Sequence, residues 1–522
     1  MSPTPAPPPN PSARQRRSQG MFGGFVMVMA SSYFDIFTSL IQAILVARLL
    51  GPTGRGLMTL PDIFNQWLSN SHLGSLHGLS KMLPMTLARH EEARAEEMED
   101  IGAITITGLG ILAGLGMLGY ALFGTRPQLL TRGVLACGAG VVICCQTAVV
   151  YRTILRAWGT FSVVALAAVV FNATQFVLVI AGAWRFGVVG AMIGLLLAQM
   201  AQLGYYHSAS GLRVRLRWNW GIARYLITSG LPLWITVFAD TAILRTVDRI
   251  LIIRFFGVYY VGLYYIASQL SRIINRIPES LGLVLMPRIW EGYARDGMEA
   301  IRRQILLPTL AVATLMPGLG GVLFVSLPYL LQLLVPQYVQ GTFAAQVMAL
   351  GAAFLALPIA ANGLLVAVNR ESTVTVAKLA GAAVVCLGAY WLRHRSGLNL
   401  TAVAVLNRMA IITAVGYLVA SLLQLIPAFI HYHPRPAALV RQLLILHLPI
   451  PWAVGAIWLA GYFSRLLLHT VPGSGPDAVV RAVLFLVFYS PVLWYGDSRT
   501  GILRRFKALG RRRKPARGSC DV

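Results

Sequence analysis

The stretch ILVARLLGPTGRGL, Ile44–Leu57, occurs a second time in related form as ILIIRFFGVYYVGL, Ile250–Leu263. The offset is 206 residues, and six of the fourteen aligned positions are identical, including an arginine and two glycines: Arg48/Arg254, Gly51/Gly257 and Gly56/Gly262. In each copy an apolar run ends, the chain turns at a glycine, and another apolar run begins. A repeat of about 200 residues is far longer than a solenoid unit. It predicts two homologous halves, a plan common in polytopic membrane proteins.

The composition is that of an integral membrane protein. Of the 522 residues, 57% are hydrophobic and 12% are charged, whereas soluble domains carry about 25% charged residues. The five cysteines include no CxxC pair, so neither a disulfide framework nor a zinc or redox site is indicated, and we expect no metal and no cofactor. The sequence contains no GxxxxGK[ST] motif, which argues against ATP hydrolysis.

Apolar runs long enough to cross a bilayer predict an all-α polytopic membrane protein with about 14 transmembrane helices. The runs fall into two groups of six, followed by two more. We expect the following segments: a disordered cytoplasmic N-terminus (1–20), an N-lobe with spans 1–6 (21–212), a cytoplasmic linker (213–224), a C-lobe with spans 7–12 (225–430), spans 13 and 14 (431–498), and a basic cytoplasmic tail (499–522).

The basic residues are distributed unequally over the loops. With the N-terminus inside, cytoplasmic segments hold about 28 Lys and Arg residues, and external segments hold about nine. This bias follows the positive-inside rule. It predicts an even number of spans with both termini in the cytoplasm, and it accounts for the net charge of +26 without nucleic-acid binding.

Several charged segments are predicted to lie at the membrane surface. Lys81–Asp100 and Pro287–Arg303 are expected to form amphipathic surface helices. The acids between Glu91 and Asp100 have the composition of a metal site, but a solvated helix face is the preferred interpretation. Arg213–Trp220 places aromatic residues at the lipid interface, and the polybasic stretch Arg504–Arg517 is expected to attract anionic headgroups.

Ionisable residues inside spans are costly and are therefore functional candidates. Span 7 contains Asp240, and its residues Thr241, Arg245, Asp248 and Arg249 have the spacing of one helical stripe. In span 8, Arg272, Arg276 and Glu279 form a second stripe. The two acids Asp248 and Glu279 can neutralise only two of the four arginines. Lys378 and Arg408, in spans 11 and 12, would add further positive charge to the same half.

An excess of positive charge at bilayer depth predicts a water-filled cationic cavity. Guanidinium groups bind phosphate oxygens in a bidentate manner, so the expected passenger is anionic, for example the diphosphate of a lipid carrier whose chain remains in the bilayer. A structural interpretation stays open. Asp248 would then pair with Arg245 or Arg249 to fix span 7, while Arg249 and Arg254 would extend towards the interface.

Three further polar residues lie in the first half. Asp35 in span 1 is a candidate for coupling to a Na+ or H+ gradient, because a partly buried carboxylate can acquire a pKa near neutrality; a hydrogen bond to the helix backbone or to a nearby asparagine is the alternative. His72 and His77 in span 2 are weaker candidates, since such residues more often bond to a neighbouring helix.

The motifs resemble those of a known family. ARLLGPTGRG (Ala47–Gly56) is similar to the first-hairpin signature of bacterial polysaccharide biosynthesis proteins, the O-antigen-type flippases of the multidrug/oligosaccharidyl-lipid/polysaccharide exporter superfamily. Matching second-half signatures follow in order: SGLPLW (Ser229–Trp234), TVDRILI (Thr246–Ile252), FFGVYYVGLY (Phe255–Tyr264) and LMPRI (Leu285–Ile289). The resemblance covers roughly residues 21–430.

This resemblance implies two six-helix lobes around a central cavity and alternating access. It also implies export of undecaprenyl-diphosphate-linked oligosaccharide across the bacterial inner membrane for O-antigen or exopolysaccharide synthesis. Asp248 and Arg249 match an Asp-Arg pair found in span 7 of the family. The expected partners are the lipid-linked oligosaccharide and membrane lipids, with a polymerase and glycosyltransferases as further candidates. We expect a monomer. The Pro-rich N-terminus and the basic tail depart from the family pattern.

Two alternatives belong to other functional classes. A cation-coupled multidrug exporter of the same fold would need acids that dominate the cavity to hold organic cations, and the arginine excess argues against it. A membrane glycosyltransferase or polymerase would place catalytic groups in a sizeable external loop. The predicted external loops are short and contain no pair of acids, so we expect a non-enzyme.

Overall fold

The computed structural model describes residues 21–124, 129–395, 401–430, 432, 435–468 and 474–501. The predicted disordered N-terminus and most of the basic tail lie outside these residues. Within the described part the chain is helical and no strand occurs, so the predicted all-α polytopic class is confirmed.

Among the described residues up to 255, the structure has seven helices and one π-helix. They are α1 (Met21–Leu68), α2 (Ser75–Ala88), α3 (Glu92–Phe123), α4 (Leu129–Ala157), α5 (Phe161–Ser210), α6 (Trp220–Phe238), the π-helix (Ala239–Leu244) and α7 (Val247–Phe255).

The remaining elements are α8 (Val258–Ala300), α9 (Arg302–Leu334), a 3-10 helix (Pro336–Gly341), α10 (Thr342–Ala356), α11 (Ile359–Ala367), α12 (Glu371–Arg395), α13 (Ala402–Ile430), α14 (Pro436–His447), α15 (Pro449–Leu468) and α16 (Gly475–Thr500).

Eleven helical segments of the described chain are long and apolar enough to cross a membrane. Two of them bend sharply at a glycine and so join two predicted spans each: Gly51 lies within α1 and Gly187 within α5. Helix α8, which carries predicted span 8, is not among the eleven. The total of 14 therefore stays a prediction.

The repeated glycines adopt backbone conformations that explain why the motif recurs. Gly51 has a φ of 64° and Gly257 a φ of 103°, in the region that side chains disfavour. Each glycine ends one helical segment and starts the next. The residue after Gly51 is Pro52, which also disfavours helical geometry in the residue before it. The turn predicted from the sequence is thus present at both copies.

The two repeated hairpins pack against each other through backbone atoms. A Cβ added to Gly56 would overlap the carbonyl oxygen of Val258, and one added to Gly262 would overlap that of Pro52. Val258 follows Gly257 as Pro52 follows Gly51, so the contact is reciprocal between equivalent positions of the two copies. We call this contact the glycine seam.

The chain divides into two compact units, one ending at Tyr265 and the other beginning at Ile266. In the first unit α1 packs along α5, α3 along α4, and α2 along α6. Its core includes a cluster around Leu79, Leu83 and Ile106. The first unit therefore contains α6 and α7 as well as the six predicted spans before them. The lobe boundary at residues 213–224 stays a prediction.

In the second unit α12 packs along α13, α10 contacts α9 and α13, and α9 packs along α16. The buried side chains of Leu364, Leu425 and Phe429 belong to one apolar cluster. Tyr432 belongs to the same cluster, and its hydroxyl donates to the carbonyl oxygen of Met298 at 3.1 Å. Burial raises the pKa of Tyr432 to about 12, so this hydroxyl remains a donor at physiological pH.

The prediction that two segments form separate surface helices was wrong. Lys81–Asp100 is divided between the end of α2 and the start of α3, with a turn at His90, whose φ is 60°. Pro287–Arg303 is likewise not one helix. Most of it continues α8, which bends at Gly297 (φ 77°), and its last residues begin α9.

The glycine seam yields a stability prediction. We expect Gly262→Ala to destabilise the protein by about 1–3 kcal/mol or more, because its methyl group has no room beside the Pro52 carbonyl and the backbone must shift. The measurement is thermal unfolding of the purified membrane protein in detergent. Gly116→Ala in α3 is the matched control, since nothing lies within 4 Å of its added Cβ. An equal effect of both substitutions would contradict the packing argument.

Candidate functional site

Two irregular segments meet inside the first unit. One is the break at residues 69–74 between α1 and α2, and the other is the π-helix between α6 and α7. The indole of Trp234 donates to the carbonyl oxygen of Asn70 at 2.7 Å, and that of Trp67 donates to the Thr246 hydroxyl at 3.1 Å. The ring of Phe238 contacts both tryptophans, with centroids 5.3 and 5.5 Å away. Such π-turns inside helices are frequent at functional sites.

A buried glutamine holds the break after α1 in place. The Gln146 side-chain amide of α4 donates to the carbonyl oxygens of Leu68 and Ser69, both at 3.1 Å, and to the Ser71 hydroxyl at 3.0 Å. These carbonyls lie at the end of a helix, where the four-residue backbone bonds stop, and the Leu68 oxygen accepts the Ser71 N–H at 3.0 Å as well. Gln146 therefore adds donors to this helix end and holds the chain where it leaves α1.

Asp240 and Arg245 form an ion pair across the π-helix. Their side chains are 3.1 Å apart between Oδ2 and Nη2, and 13% and 24% of them, respectively, remain exposed. The Arg245 backbone N–H donates to the Asp240 carbonyl oxygen at 3.1 Å, the five-residue step that defines a π-turn. Because both groups keep some exposure, a ligand that reaches this edge can contact the Arg245 guanidinium.

Arg249 and Asp248 occupy a more buried position. Arg249 is 3% exposed and Asp248 is 1% exposed. The Arg249 guanidinium donates to the side-chain oxygen of Gln66 at 3.0 Å and to the carbonyl oxygen of Arg245 at 3.2 Å. A carboxylate oxygen of Asp248 accepts the Arg249 backbone N–H at 2.7 Å, as expected for an acid in the first turn of a helix. This geometry ties α7 to α1.

The continuous stripe expected over Thr241–Arg249 was wrong. The π-helix ends at Leu244, and α7 begins only at Val247, so the α-helical spacing does not extend through this segment. The wider turn changes the direction of the residues that follow it. The side chains of Arg245 and Asp240 thus pair at a partly exposed edge. Those of Arg249 and Asp248 are buried. Substrate binding by Arg245 and Arg249 stays a prediction.

In the second unit, the site candidates lie on three helices. Arg272 and Glu279 of α8 are half-buried, and Arg276 is exposed. Their spacing of four and seven residues places them on one side of this helix. Lys378 of α12 is buried, and Arg408 of α13, a helix that packs along α12, is exposed. These residues also remain predictions as a binding site.

The polar residues of the first half are separated along the chain. Asp35 in α1 is half-buried and accepts a hydrogen bond from the Ser39 hydroxyl at 3.1 Å. His72 lies in the break after α1 and His77 in α2, with ring centroids 5.2 Å apart in an edge-to-face arrangement. Among the residues that the structure describes, no group of three or more His, Cys, Asp or Glu side chains is placed to hold a metal ion.

The acidic start of α3 is not simply a solvated face. Glu99 and Asp100 are buried. Glu99 accepts a hydrogen bond from the Trp158 indole, and Asp100 accepts one from the Arg215 backbone N–H at 2.9 Å. Glu99 therefore holds the turn between α4 and α5, and Asp100 holds the segment that follows α5. The interpretation as a purely solvated face was wrong for these two residues, because their partners are distant in sequence.

Several residues of the site were not found from the sequence: Gln66, Trp67, Asn70, Gln146, Trp234 and Thr246. The available signal was the presence of polar and tryptophan side chains inside apolar runs. Buried polar groups in a membrane protein need internal partners, so each of them was a candidate for a contact between helices. The partner of each was not visible, since it lies far away in the chain.

The contact between Arg249 and Gln66 can be tested by a double-mutant cycle. We expect Gln66→Ala, Arg249→Met and the double variant to give a coupling free energy of about 1.5–3 kcal/mol, the range for a hydrogen bond to a charged group. The readout is thermal unfolding in detergent. The pair Gln202→Ala and Arg249→Met is the control, because the Gln202 amide donates instead to the Ala167 carbonyl. Additive effects in the Gln66 cycle would contradict the assignment.

Comparison with known proteins finds similarity in part of the sequence and in the fold. Residues 121–291 match a family model described as "Polysaccharide biosynthesis protein". No curated protein sequence matches the chain. The structure of the lipid II flippase MurJ in an inward closed conformation is similar with a TM-score of 0.63 and 12% sequence identity, and the match covers 90% of this chain and 99% of that one.

Two other solved structures have the same fold. One is an outward-facing multidrug resistance MATE family transporter of the MOP superfamily, with a TM-score of 0.57, 17% identity, and coverage of 82% of this chain and 99% of that one. The other is a MOP superfamily transporter from Pyrococcus furiosus, with a TM-score of 0.58, 14% identity, and coverage of 84% and 99%. The chain therefore has the polytopic MATE- and MurJ-like fold, and the predicted resemblance to polysaccharide biosynthesis proteins is confirmed by the family model over residues 121–291.

Proposed function

We propose that this protein is a flippase that translocates an anionic lipid-linked oligosaccharide across the bacterial cytoplasmic membrane by alternating access. The family match over residues 121–291 and the fold shared with a lipid II flippase support a role in glycan export. The fold is also that of drug transporters, so the choice of substrate depends on the chemistry of the embedded side chains.

The observation that carries the proposal is the arginine pair of α8. This helix holds Arg272 and Arg276 one turn apart, with Glu279 as the acid on the same side. Among the residues that the structure describes, no part of α8 has the length and composition of a membrane helix, and a charged stripe at bilayer depth needs water or protein rather than lipid. Two guanidinium groups one turn apart match the oxygens of a diphosphate. Arg245 at the edge of the π-helix is the candidate cation of the first unit.

A cation-coupled multidrug exporter is the second candidate function. Its support is the similarity to MATE family transporters. The Pyrococcus furiosus transporter bears on the choice, because it is described as having a binding pocket of reversed polarity that suggests a different function. If the polarity of the pocket determines the substrate, an arginine-rich site favours an anionic substrate over an organic cation.

The proposal extends to location and partners. The protein would lie in the bacterial inner membrane with both termini in the cytoplasm, as the loop charges predict. It would act as a monomer on undecaprenyl-diphosphate-linked oligosaccharide for O-antigen or exopolysaccharide synthesis, next to a polymerase and glycosyltransferases. It would do so without catalysing a chemical reaction itself.

The decisive experiment compares arginine variants in vesicles and in cells. We expect Arg272→Ala/Arg276→Ala to reduce flipping of a fluorescent diphosphate-linked oligosaccharide in vesicles at least about tenfold, since each charge-assisted contact is worth about 1.5–3 kcal/mol, and to abolish surface polysaccharide in cells. Replacement of the same two residues by lysine should restore part of the rate, because charge is kept and bidentate geometry is lost.

Arg295→Ala is the matched control. Arg295 lies on the same helix, but its side chain is 75% exposed and pairs with Asp296 at 2.9 Å. We expect this variant to flip at the rate of the unmodified protein. Normal flipping by the double alanine variant, with equal amounts of protein in the membrane, would refute the proposed function. Transport of an organic cation that survives loss of both arginines would support the exporter instead.

Coupling to an ion gradient is proposed for Asp35. We expect Asp35→Asn to retain substrate binding but to lose the acceleration of flipping by an imposed Na+ or H+ gradient, because the amide cannot bind or release the ion. Ser39→Ala is the control, since it removes only the 3.1 Å hydrogen bond to Asp35. Flipping is measured in vesicles with and without each gradient. An unchanged gradient response in Asp35→Asn would show that coupling lies elsewhere.

A further inference from the structure

The segment that joins α5 to α6, residues 211–219, exposes an unusual pattern of side chains. It has no regular secondary structure and alternates arginines with apolar residues: Arg213, Val214, Arg215, Leu216, Arg217 and Trp218. All six are exposed. Leu216 lies at the apex of a tight turn in which the Arg217 N–H donates to the Arg215 carbonyl oxygen at 2.8 Å, and this leucine is 94% exposed. We call this segment the basic linker.

The basic linker is attached to the rest of the first unit. The Arg215 backbone N–H donates to Asp100 at 2.9 Å, and the Asn219 side-chain amide donates to Glu97 at 3.0 Å. The Asn219 side-chain oxygen also caps α6 by accepting the Gly221 N–H at 3.0 Å. The Leu212 side chain packs against the apolar cluster around Leu83. These contacts hold the backbone of the basic linker, so its exposed side chains project from a fixed position.

The position of the basic linker brings it to the membrane surface. Both flanking segments, Phe161–Ser210 and Trp220–Phe255, are candidate membrane spans, so the linker lies within a few residues of the headgroups. Trp218 and Trp220 are exposed, with ring centroids 6.2 Å apart, and tryptophan is enriched at this depth. A leucine at a turn apex gains free energy by leaving water, while the arginines beside it bind lipid phosphates.

We infer that the basic linker is a binding site for anionic phospholipid. Arg213, Arg215 and Arg217 contact headgroup phosphates, while Leu216 and Trp218 enter the boundary between headgroups and acyl chains. This contact holds the connection between α5 and α6 at the bilayer surface. The inference depends on the local structure of the first unit and is independent of the proposed substrate.

Hydrogen exchange on the full-length protein tests the site. The protein is placed in nanodiscs of phosphatidylcholine alone, or of phosphatidylcholine with phosphatidylglycerol, and exchange is followed in a peptide covering residues 211–219. We expect phosphatidylglycerol to slow exchange on the order of tenfold, because several arginines act together. In the variant R213Q/R215Q/R217Q this dependence should disappear. The variant keeps the bond to Asp100, since the backbone of Arg215 donates it.

R89Q/R94Q is the matched control. These two exposed arginines lie near the turn between α2 and α3, outside the basic linker. We expect this variant to retain the full effect of phosphatidylglycerol. In addition, we expect lipids with brominated acyl chains to quench the fluorescence of Trp218. The Trp218 signal is obtained by subtracting the emission of the Trp218→Phe variant from that of the unmodified protein. Leu216→Ser should weaken that quenching, because the turn apex no longer favours the acyl region.

Three outcomes would overturn the inference. They are exchange that is equal in the two lipid mixtures, dependence on phosphatidylglycerol that persists in the triple variant, and loss of that dependence in R89Q/R94Q. Protection that appears only when an acidic soluble protein is added would assign the basic linker to a protein partner instead.

Discussion

The cost of placing charge at the depth of a bilayer governs this structure. A guanidinium or carboxylate in the hydrocarbon region requires a partner, protein dipoles or water. In the first unit partners are provided: Asp240 pairs with Arg245, and Arg249 donates to Gln66 and to a backbone carbonyl. Arginines that are satisfied in this way fix helices. Arginines that face water are available to a substrate. The proposed function depends on which of the two conditions applies to each residue.

The sequence predicts the local features of the fold well, because they depend on residues close together. The turns at Gly51 and Gly257 follow from repeated glycines between apolar runs, and both glycines have positive φ. The helical membrane class follows from composition. The break after α1 and the π-helix have no comparable signal, since nothing in residues 239–244 distinguishes a π-turn from an α-turn. Those two irregular segments had to be seen in the structure.

Long-range partners explain most of what sequence reasoning missed in the candidate site. Arg249 and Gln66 are 183 residues apart, and Asp100 and the backbone of Arg215 are 115 apart. A count of charges within spans treats Arg249 as one more cavity-facing cation, whereas a neutral amide on another helix already satisfies part of its donors. Likewise, the spacing of the acids at the start of α3 predicts a solvated face, because their partners Trp158 and Arg215 are distant in sequence. Spacing along the chain does not by itself show whether a charged side chain holds helices together or can reach a ligand. That depends on how deeply the side chain is buried and on which group it contacts.

The glycine seam has a consequence for how the two copies of the repeat have diverged. Between the identical glycines, residues 52–55 read PTGR in one copy and VYYV in the other, with no residue in common. Gly56 and Gly262 press against the backbone of the opposite copy, and neither position accepts a side chain unless the other hairpin retreats. The two glycines therefore constrain each other, and a substitution at either position disturbs the packing of both hairpins.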